Sequence, residues 1–385
     1  MKNEPVILEA IRTPLGKRDG TLSSVRPDVL LATVVNELLA RTKISPEKVD
    51  DLIAGCVTQA NEQGANIARL SVLLSKLPAR VPGVSLNRMC GSSQQAIHFA
   101  AQSIAAGDAD YVIGAGVESM SRVPMFSDIG GGFQTLNPEL FKKYEIIHQG
   151  ESAERIAEKF KIDREQVDAF SIESHERATR ATKDGFFKRE IVPVEGKTKE
   201  GQTTRLEFDE GIRFQIDRAK IAKLPPAFRK DGVVTAANSS QISDGAAGLL
   251  LGNREKAVSD GFRPRARFRA RLAVGGDPTL QLLEVIPATE RALKKAGLQL
   301  KDIDVIEINE AFASVVLGWA QAMNADLSKV NPNGGAIAHG HPLGATGAVL
   351  MSKLLHELER RNAALGLQVM CIGHGMATAT VIERI

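Results

Sequence analysis

The chain alternates short apolar runs with stretches whose apolar residues recur at helical spacing. Pro5-Val6-Ile7-Leu8 reads as a first strand. From Asp28 to Arg41, Leu30, Leu31, Val34, Val35, Leu38 and Leu39 line one helical face, and Val49 to Val57 is strand-like again. The spacing further predicts helices over Ser152–Phe160, Arg164–Asp184, Val285–Ala296 and Val349–Glu359, and strands over Val81–Met89 and Asp304–Ile308. Such alternation predicts an α/β class, with helices covering a mainly buried sheet.

The pattern also repeats. The segment Ile44 to Ile53, which follows a helix, has a counterpart in Leu298 to Ile306, about 254 residues on. A second echo pairs Val112-Ile113-Gly114-Ala115-Gly116 with Cys371-Ile372-Gly373-His374-Gly375, about 259 residues on. Two similar α/β halves are expected. The segment between them is rich in charge and turns, as in Gly130-Gly131-Gly132, Lys142-Lys143 and Lys197 to Gly201. The reading is a first half over 1–116, an insertion over 117–234, the end of the first half over 235–262, and a second half over 263–385. An insertion there is a natural cover for a site at the strand ends, where open α/β sheets bind ligands.

Composition narrows the function classes. With 385 residues, 43% hydrophobic and 25% charged, the chain is neither disordered nor fibrous. Its 49 basic and 46 acidic residues and 4% aromatics give no electrostatic or stacking footprint for nucleic acid. The first residues, Met1-Lys2-Asn3-Glu4-Pro5, lack the apolar run of a secretory signal, and no window reaches the roughly 18 apolar residues of a membrane helix. Three cysteines cannot close a disulfide framework and read as reduced thiols, so a cytoplasmic location is expected.

Cys90 lies between a predicted strand and an apolar helical stripe (Ala96, Ile97, Ala100, Ala101, Ile104). Near a helix N-terminus, free N–H groups and the dipole favour the thiolate, which is the nucleophile. A buried structural cysteine is the competing reading. His341 sits in a run with six glycines from Gly334 to Gly347, which suits a tight loop packed against a ligand. There a histidine serves as a general base. His339 and His341 also suggest a metal pair, but no third ligand lies nearby in the sequence, so no metal is expected. Cys371 precedes a glycine turn whose Gly373 offers a bare N–H, and Asn309 follows the strand at Asp304–Ile308.

Together these blocks resemble the thiolase family over essentially the whole chain. The matching motifs are Asn87-Arg88-Met89-Cys90-Gly91-Ser92, Gly116 to Ser121, Asn309-Glu310-Ala311-Phe312, Asn331 to Ala338, Gly340-His341-Pro342-Leu343-Gly344 and the Cys371 turn. The resemblance implies two similar βαβαβαββ halves with an inserted loop domain. It implies thiolysis of a 3-ketoacyl-CoA, or the reverse condensation, through an acyl-cysteine on Cys90. His341 would be the base and Cys371 the acid that protonates the departing enolate. Asn309 would hold a water, and the N–H groups of Cys90 and Gly373 would form an oxyanion hole. His148, Phe228, Ser240, Ala311 and Phe312 would line the pantetheine channel, with Arg213 near the adenine. Coenzyme A would enter as a substrate, with no resident cofactor, and the chain would form a homodimer or homotetramer.

Two positions depart from the common pattern. Gln149 stands where methionine is usual, and His374 where glycine is usual. His374 keeps open a decarboxylating condensing enzyme with one cysteine and two histidines. A thiolase-like acyl-CoA or lipid binder without turnover is the non-enzymatic alternative, which Cys90→Ala would separate from the enzyme.

Overall fold

The computed structural model describes residues 3–130 and 132–385, so Met1, Lys2 and Gly131, cited above, lie outside it. The strands are β1 (Pro5–Arg12), β2 (Gly16–Lys17), β3 (Asp51–Gly55), β4 (Gly83–Leu86), β5 (Tyr111–Ser119), β6 (Val194–Lys197), β7 (Thr203–Leu206), β8 (Ser243–Asn253), β9 (Ala266–Gly275), β10 (Val305–Ile308), β11 (Leu365–Ile372) and β12 (Met376–Arg384). The helices are α1 (Pro27–Thr42), α2 (Ile67–Leu74), α3 (Ser92–Ala106), α4 (Pro138–Lys143), α5 (Gln149–Phe160), α6 (Arg164–Lys183), α7 (Arg218–Ala222), α8 (Arg254–Ser259), α9 (Val285–Ala296), α10 (Ala313–Met323), α11 (Ala336–His339) and α12 (Thr346–Arg361).

The main sheet runs β10-β11-β12-β9-β1-β8-β5-β3-β4, with β2 beside β8, and β6 and β7 form a separate hairpin. The order β9-β12-β11-β10 reproduces β1-β8-β5-β3, with the same parallel and antiparallel senses. A short β1–β9 pairing at Val6 and Ile7 joins the two. Every residue of β5 and β8 is buried, which suits strands covered on both faces.

Three cores follow from this layering. One packs α1 and α2 on the first half, one packs α9 and α10 on the second, and one lies around α3 and α12 in the middle. All residues of α12 from Thr346 to Leu358 are buried, as a helix enclosed on every side must be.

The register corrects the second echo. Asp51 pairs with Val112, and Val305 pairs with Gly366, so Val112 corresponds to Gly366 rather than to Cys371. The Asp50 carboxylate accepts from the N–H groups of Asp110 and Tyr111, as Asp304 does from Ala364 and Leu365. The offset is therefore 254 residues at both strands, and Cys371 matches Val117. The first half also departs from the boundary expected at residue 116, because β5 continues to Ser119.

The intervening segment carries α4 to α7 and the β6–β7 hairpin. It is tied to the body by Arg12, fully buried at the end of β1. The Arg12 guanidinium donates to Asp209 (2.6 Å) and Glu190 (2.7 Å), and Asp209 also pairs with His339 Nδ1 at 2.7 Å. His339 is thus a clasp between the insertion and the glycine-rich loop.

Candidate active site

Cys90 and His341 sit just ahead of the N-termini of the two central helices, α3 and α12. These helices begin at equivalent positions, 254 residues apart from 92 to 346. Each first residue ties down the turn before it. Ser92 Oγ donates to Met89 O at 2.6 Å, and Thr346 Oγ1 donates to Pro342 O at 2.8 Å. The helices cross close to these ends. A Cβ on Gly347 would collide with the backbone of Gln94, and Ala348 N–H donates to Ser93 Oγ at 2.9 Å. The glycine therefore sets how near the two functional turns approach.

His341 is buried, and burial alone pushes its pKa down to about 4, so the ring is neutral at pH 7. Its tautomer follows from its partners. The single hydroxyl proton of Thr346 goes to Pro342 O, so Thr346 Oγ1 accepts from His341 Nδ1–H at 2.6 Å. That leaves the Nε2 lone pair facing Asn309 Nδ2 at 3.4 Å. The same Asn309 amide donates to Cys371 Sγ at 3.6 Å, and Asn309 Oδ1 is buried with no protein partner. An acceptor left open in such a place fits a water or a substrate donor.

At Cys90, burial comes first and the Cys371 charge second in pushing the thiol up to about 12. The N–H groups of Cys90 itself and of Gly373 oppose that rise but do not overcome it. Cys371 is likewise pushed up by burial to about 11, against the pull of Asn309 and of the Ala311 N–H. Burial thus opposes the pull of the helix N-terminus toward the thiolate and holds both cysteines toward the thiol, which fits a nucleophile that needs His341 as its base. The structure records no hydrogen bond between Cys90 and His341. The two are linked through neighbours: Gly373 N–H and the Cys371 thiol act on Cys90, and Asn309 Nδ2 reaches both Cys371 and His341.

The remaining predicted residues form a line leading to this cluster. The ring of His148 stacks on Phe228 at 5.1 Å, and Phe228 meets Phe312 edge-on at 6.0 Å. Ser240 N–H donates to Ala311 O at 2.9 Å, and Ser239 bridges to Phe312. Arg213 stands apart and is exposed. It flanks a cleft of about 380 Å³ with Ile216, Lys220, Leu224 and Ala236, the last on the loop that carries Ser240. His374 turns outward, with φ 59°, its N–H donating to Gln281 and its ring against Phe133 at 6.0 Å, so it does not crowd Cys371. The His339 ring nitrogens are both engaged, by Asp209 and by Asn333 O, while His341 pairs with Thr346. Among the described residues, no group of three or more His, Cys, Asp or Glu is arranged to hold a metal.

Two residues escaped the sequence reading. Thr346 fixes the histidine tautomer, yet reads as an ordinary helix start. Glu118 is fully buried and accepts from the N–H groups of Val57, Thr58 and Gly344 and from Gln63 Nε2, at 2.7 to 3.1 Å. It binds the end of the His341 turn to the end of β3. A buried charge in an otherwise apolar strand was the available signal.

The chain is similar to known proteins along its whole length. The family model described as thiolase, N-terminal domain, matches residues 5–255, and that described as thiolase, C-terminal domain, matches 262–384. The steroid 3-ketoacyl-CoA thiolase of Mycobacterium tuberculosis is 47% identical, over 99% of this chain and 94% of that protein. The 3-oxoadipyl-CoA/3-oxo-5,6-dehydrosuberyl-CoA thiolase of Escherichia coli is 43% identical, over 99% of this chain and 100% of its own. The crystal structure of the Bacillus anthracis acetyl-CoA acetyltransferase superposes with a TM-score of 0.92 at 36% identity, covering 100% of this chain and 99% of that one. With both family models matched and relatives aligned end to end, this chain belongs to the thiolase family.

Proposed function

We propose that the chain catalyses coenzyme A-dependent cleavage of 3-ketoacyl-CoA, and the reverse condensation, with Cys90 as nucleophile. The observation that carries this reading is the Asn309 amide lying between Cys371 Sγ and His341 Nε2 in one buried cluster, with Gly373 N–H at Cys90. His341 Nε2 is the unprotonated nitrogen, so it takes the Cys90 proton as sulfur adds to the 3-keto carbon. Burial opposes charge on both partners, so the transfer draws on the stabilisation of the charge that develops on the substrate. The negative charge then appears on the substrate oxygen, where the N–H groups of Cys90 and Gly373 receive it.

The C2–C3 bond then breaks. The enolate oxygen meets the protonated His341 Nε2 and a water held at Asn309 Oδ1, and Cys371 gives its proton to C2, releasing acetyl-CoA. A new coenzyme A thiol passes its proton to the Cys371 thiolate and its sulfur to the acyl carbon, and Cys90 leaves with the proton from His341. The stacked His148–Phe228–Phe312 line supports a channel for the pantetheine arm, and the Arg213 cleft supports a nucleotide end. The relatives' names span dicarboxylic, steroid and acetyl substrates, so the family fixes the reaction and not the acyl group.

A second copy of the chain is part of the proposal. Edge strand β4, with Val84 45% exposed, supports pairing of sheet edges in a homo-oligomer. Three buried free cysteines support a reducing, cytoplasmic setting. Among the described residues, no helix is long and apolar enough to cross a membrane. The test is mass spectrometry after brief exposure to acetoacetyl-CoA without free coenzyme A. An acetyl adduct on Cys90, absent in Cys90→Ala together with turnover, is expected, and full turnover by Cys90→Ala would sink the assignment.

A further inference from the structure

Around Cys90 the walls are apolar: Leu350, Met370 and Ile372 are buried with it, and Met89, Leu343 and Met376 pack against them. A side-chain amide packs on the turn beside it. A Cβ on Gly373 would lie 2.6 Å from Gln149 Nε2 and 3.0 Å from Met89 Cε. Gly373 is also the residue whose N–H faces the Cys90 thiol. The Gln149 carboxamide therefore packs against the residue that holds the sulfur that would carry the acyl group. It is half-buried, and among the described residues it forms no hydrogen bond within the protein.

The backbone beneath it is fixed. Gln149 opens α5, whose first turn is capped by Gly150 N–H donating to His148 Nδ1 at 3.0 Å. The ring of Phe228 fills the space where Gly150 would carry a side chain. His148 stacks in the aromatic line and Gln149 packs on Gly373, so this turn lies between the carrier side of a thioester and its acyl side.

We propose that Gln149 is a specificity-determining residue that favours 3-ketoacyl chains bearing an oxygen function over plain alkyl chains; this rests on the thiolase reading above. An alkyl chain laid across the carboxamide strips its water and returns no hydrogen bond. A carboxylate or hydroxyl accepts from Nε2 and keeps water on its exposed side. A methionine at this position has similar length and no such demand, which reverses the preference.

The experiment compares kcat/KM for thiolysis of 3-oxoadipyl-CoA and 3-oxohexanoyl-CoA, which share a six-carbon chain and differ in the terminal carboxylate. The proteins are wild type, Gln149→Met and Gln149→Glu. One such hydrogen bond shifts discrimination by about 3- to 10-fold. The ratio of acid to alkyl substrate is expected to fall by that factor in Gln149→Met and further in Gln149→Glu, through like-charge repulsion. An unchanged ratio in variants that remain active overturns the proposal and leaves the thiolase reading standing. Equal losses on both substrates also overturn it, since Gln149 then serves only to pack Gly373. Wild-type protein that cleaves neither these nor acetoacetyl-CoA would instead remove the reading on which the proposal rests.

Discussion

Replacing Thr346 by valine tests whether the tautomer of His341 is set by one hydroxyl. The substitution keeps a β-branched side chain of nearly the same shape at the first position of α12, so the helix start is retained. What disappears is the acceptor 2.6 Å from His341 Nδ1. The ring then has two poor choices. It leaves a buried N–H without a partner, or it moves its proton to Nε2, which faces the Asn309 amide donor at 3.4 Å. An orphaned buried donor costs about 1–3 kcal/mol, and each 1.36 kcal/mol on the barrier is about tenfold in rate. The expected result is a fall in kcat of about 10- to 100-fold, with a melting point within a few degrees of wild type. Thr346→Ser, which restores the hydroxyl, should recover most of the rate. Steady-state thiolysis with acetoacetyl-CoA beside a thermal melt reads both quantities. Wild-type kcat in Thr346→Val would refute the argument that this hydroxyl orients the base.

Three further outcomes follow from the same geometry. Gly347→Ala puts a methyl against the Gln94 backbone, so it should destabilise the protein by about 1–3 kcal/mol and lower kcat by parting α3 from α12; urea unfolding and thiolysis check this. Asp209→Asn leaves the fully buried Arg12 with a weakened partner and should cost about 3–5 kcal/mol, with hydrogen exchange accelerating first in the inserted segment rather than in the central sheet. Burial holds His98 and His356 down to about 3, and His175 and His341 down to about 4. The unfolded chain binds these protons near pH 6.5, so their contribution is complete above that pH and is lost as pH falls through about 4. Each histidine adds a slope of up to about 1.4 kcal/mol per pH unit in that window. A melting temperature already falling between pH 6.5 and 5 is expected, and a flat profile down to pH 5 would contradict it.

The elements most legible in the sequence were those whose burial is periodic. Helix α9 occupies the predicted span Val285–Ala296, and α1 extends it by a residue at each end. The repeat was legible where it rested on a helix, a turn and a strand together, and it failed where it rested on glycines. Gly116 is bare because the Gly344 carbonyl and Ser93 press against it, whereas Gly375 takes φ 74° in a turn. Two glycines with different physical causes look alike in a string of letters. The depth of burial at Cys90 was not legible for a related reason: a helix N-terminus is a local feature, and the burial that opposes it comes from β11 and α12. Thr346 and Glu118 act through partners that lie nearby only after folding.

The close crossing of α3 and α12 has a bearing on descent as well as on chemistry. Ser93 and Gly347 are repeat equivalents, as are Gln94 and Ala348, yet Gln94 packs on Gly347 and Ser93 on Ala348, so bulk contributed by one half fits a gap left by the other. Two copies of the first half would clash at this crossing, and two copies of the second would leave it hollow and without the nucleophile. The repeats have thus ceased to be interchangeable, and each is now a lock cut for the other's key. A substitution tolerated in one of them depends on what its counterpart carries, and joining both in a single chain holds that match at one to one.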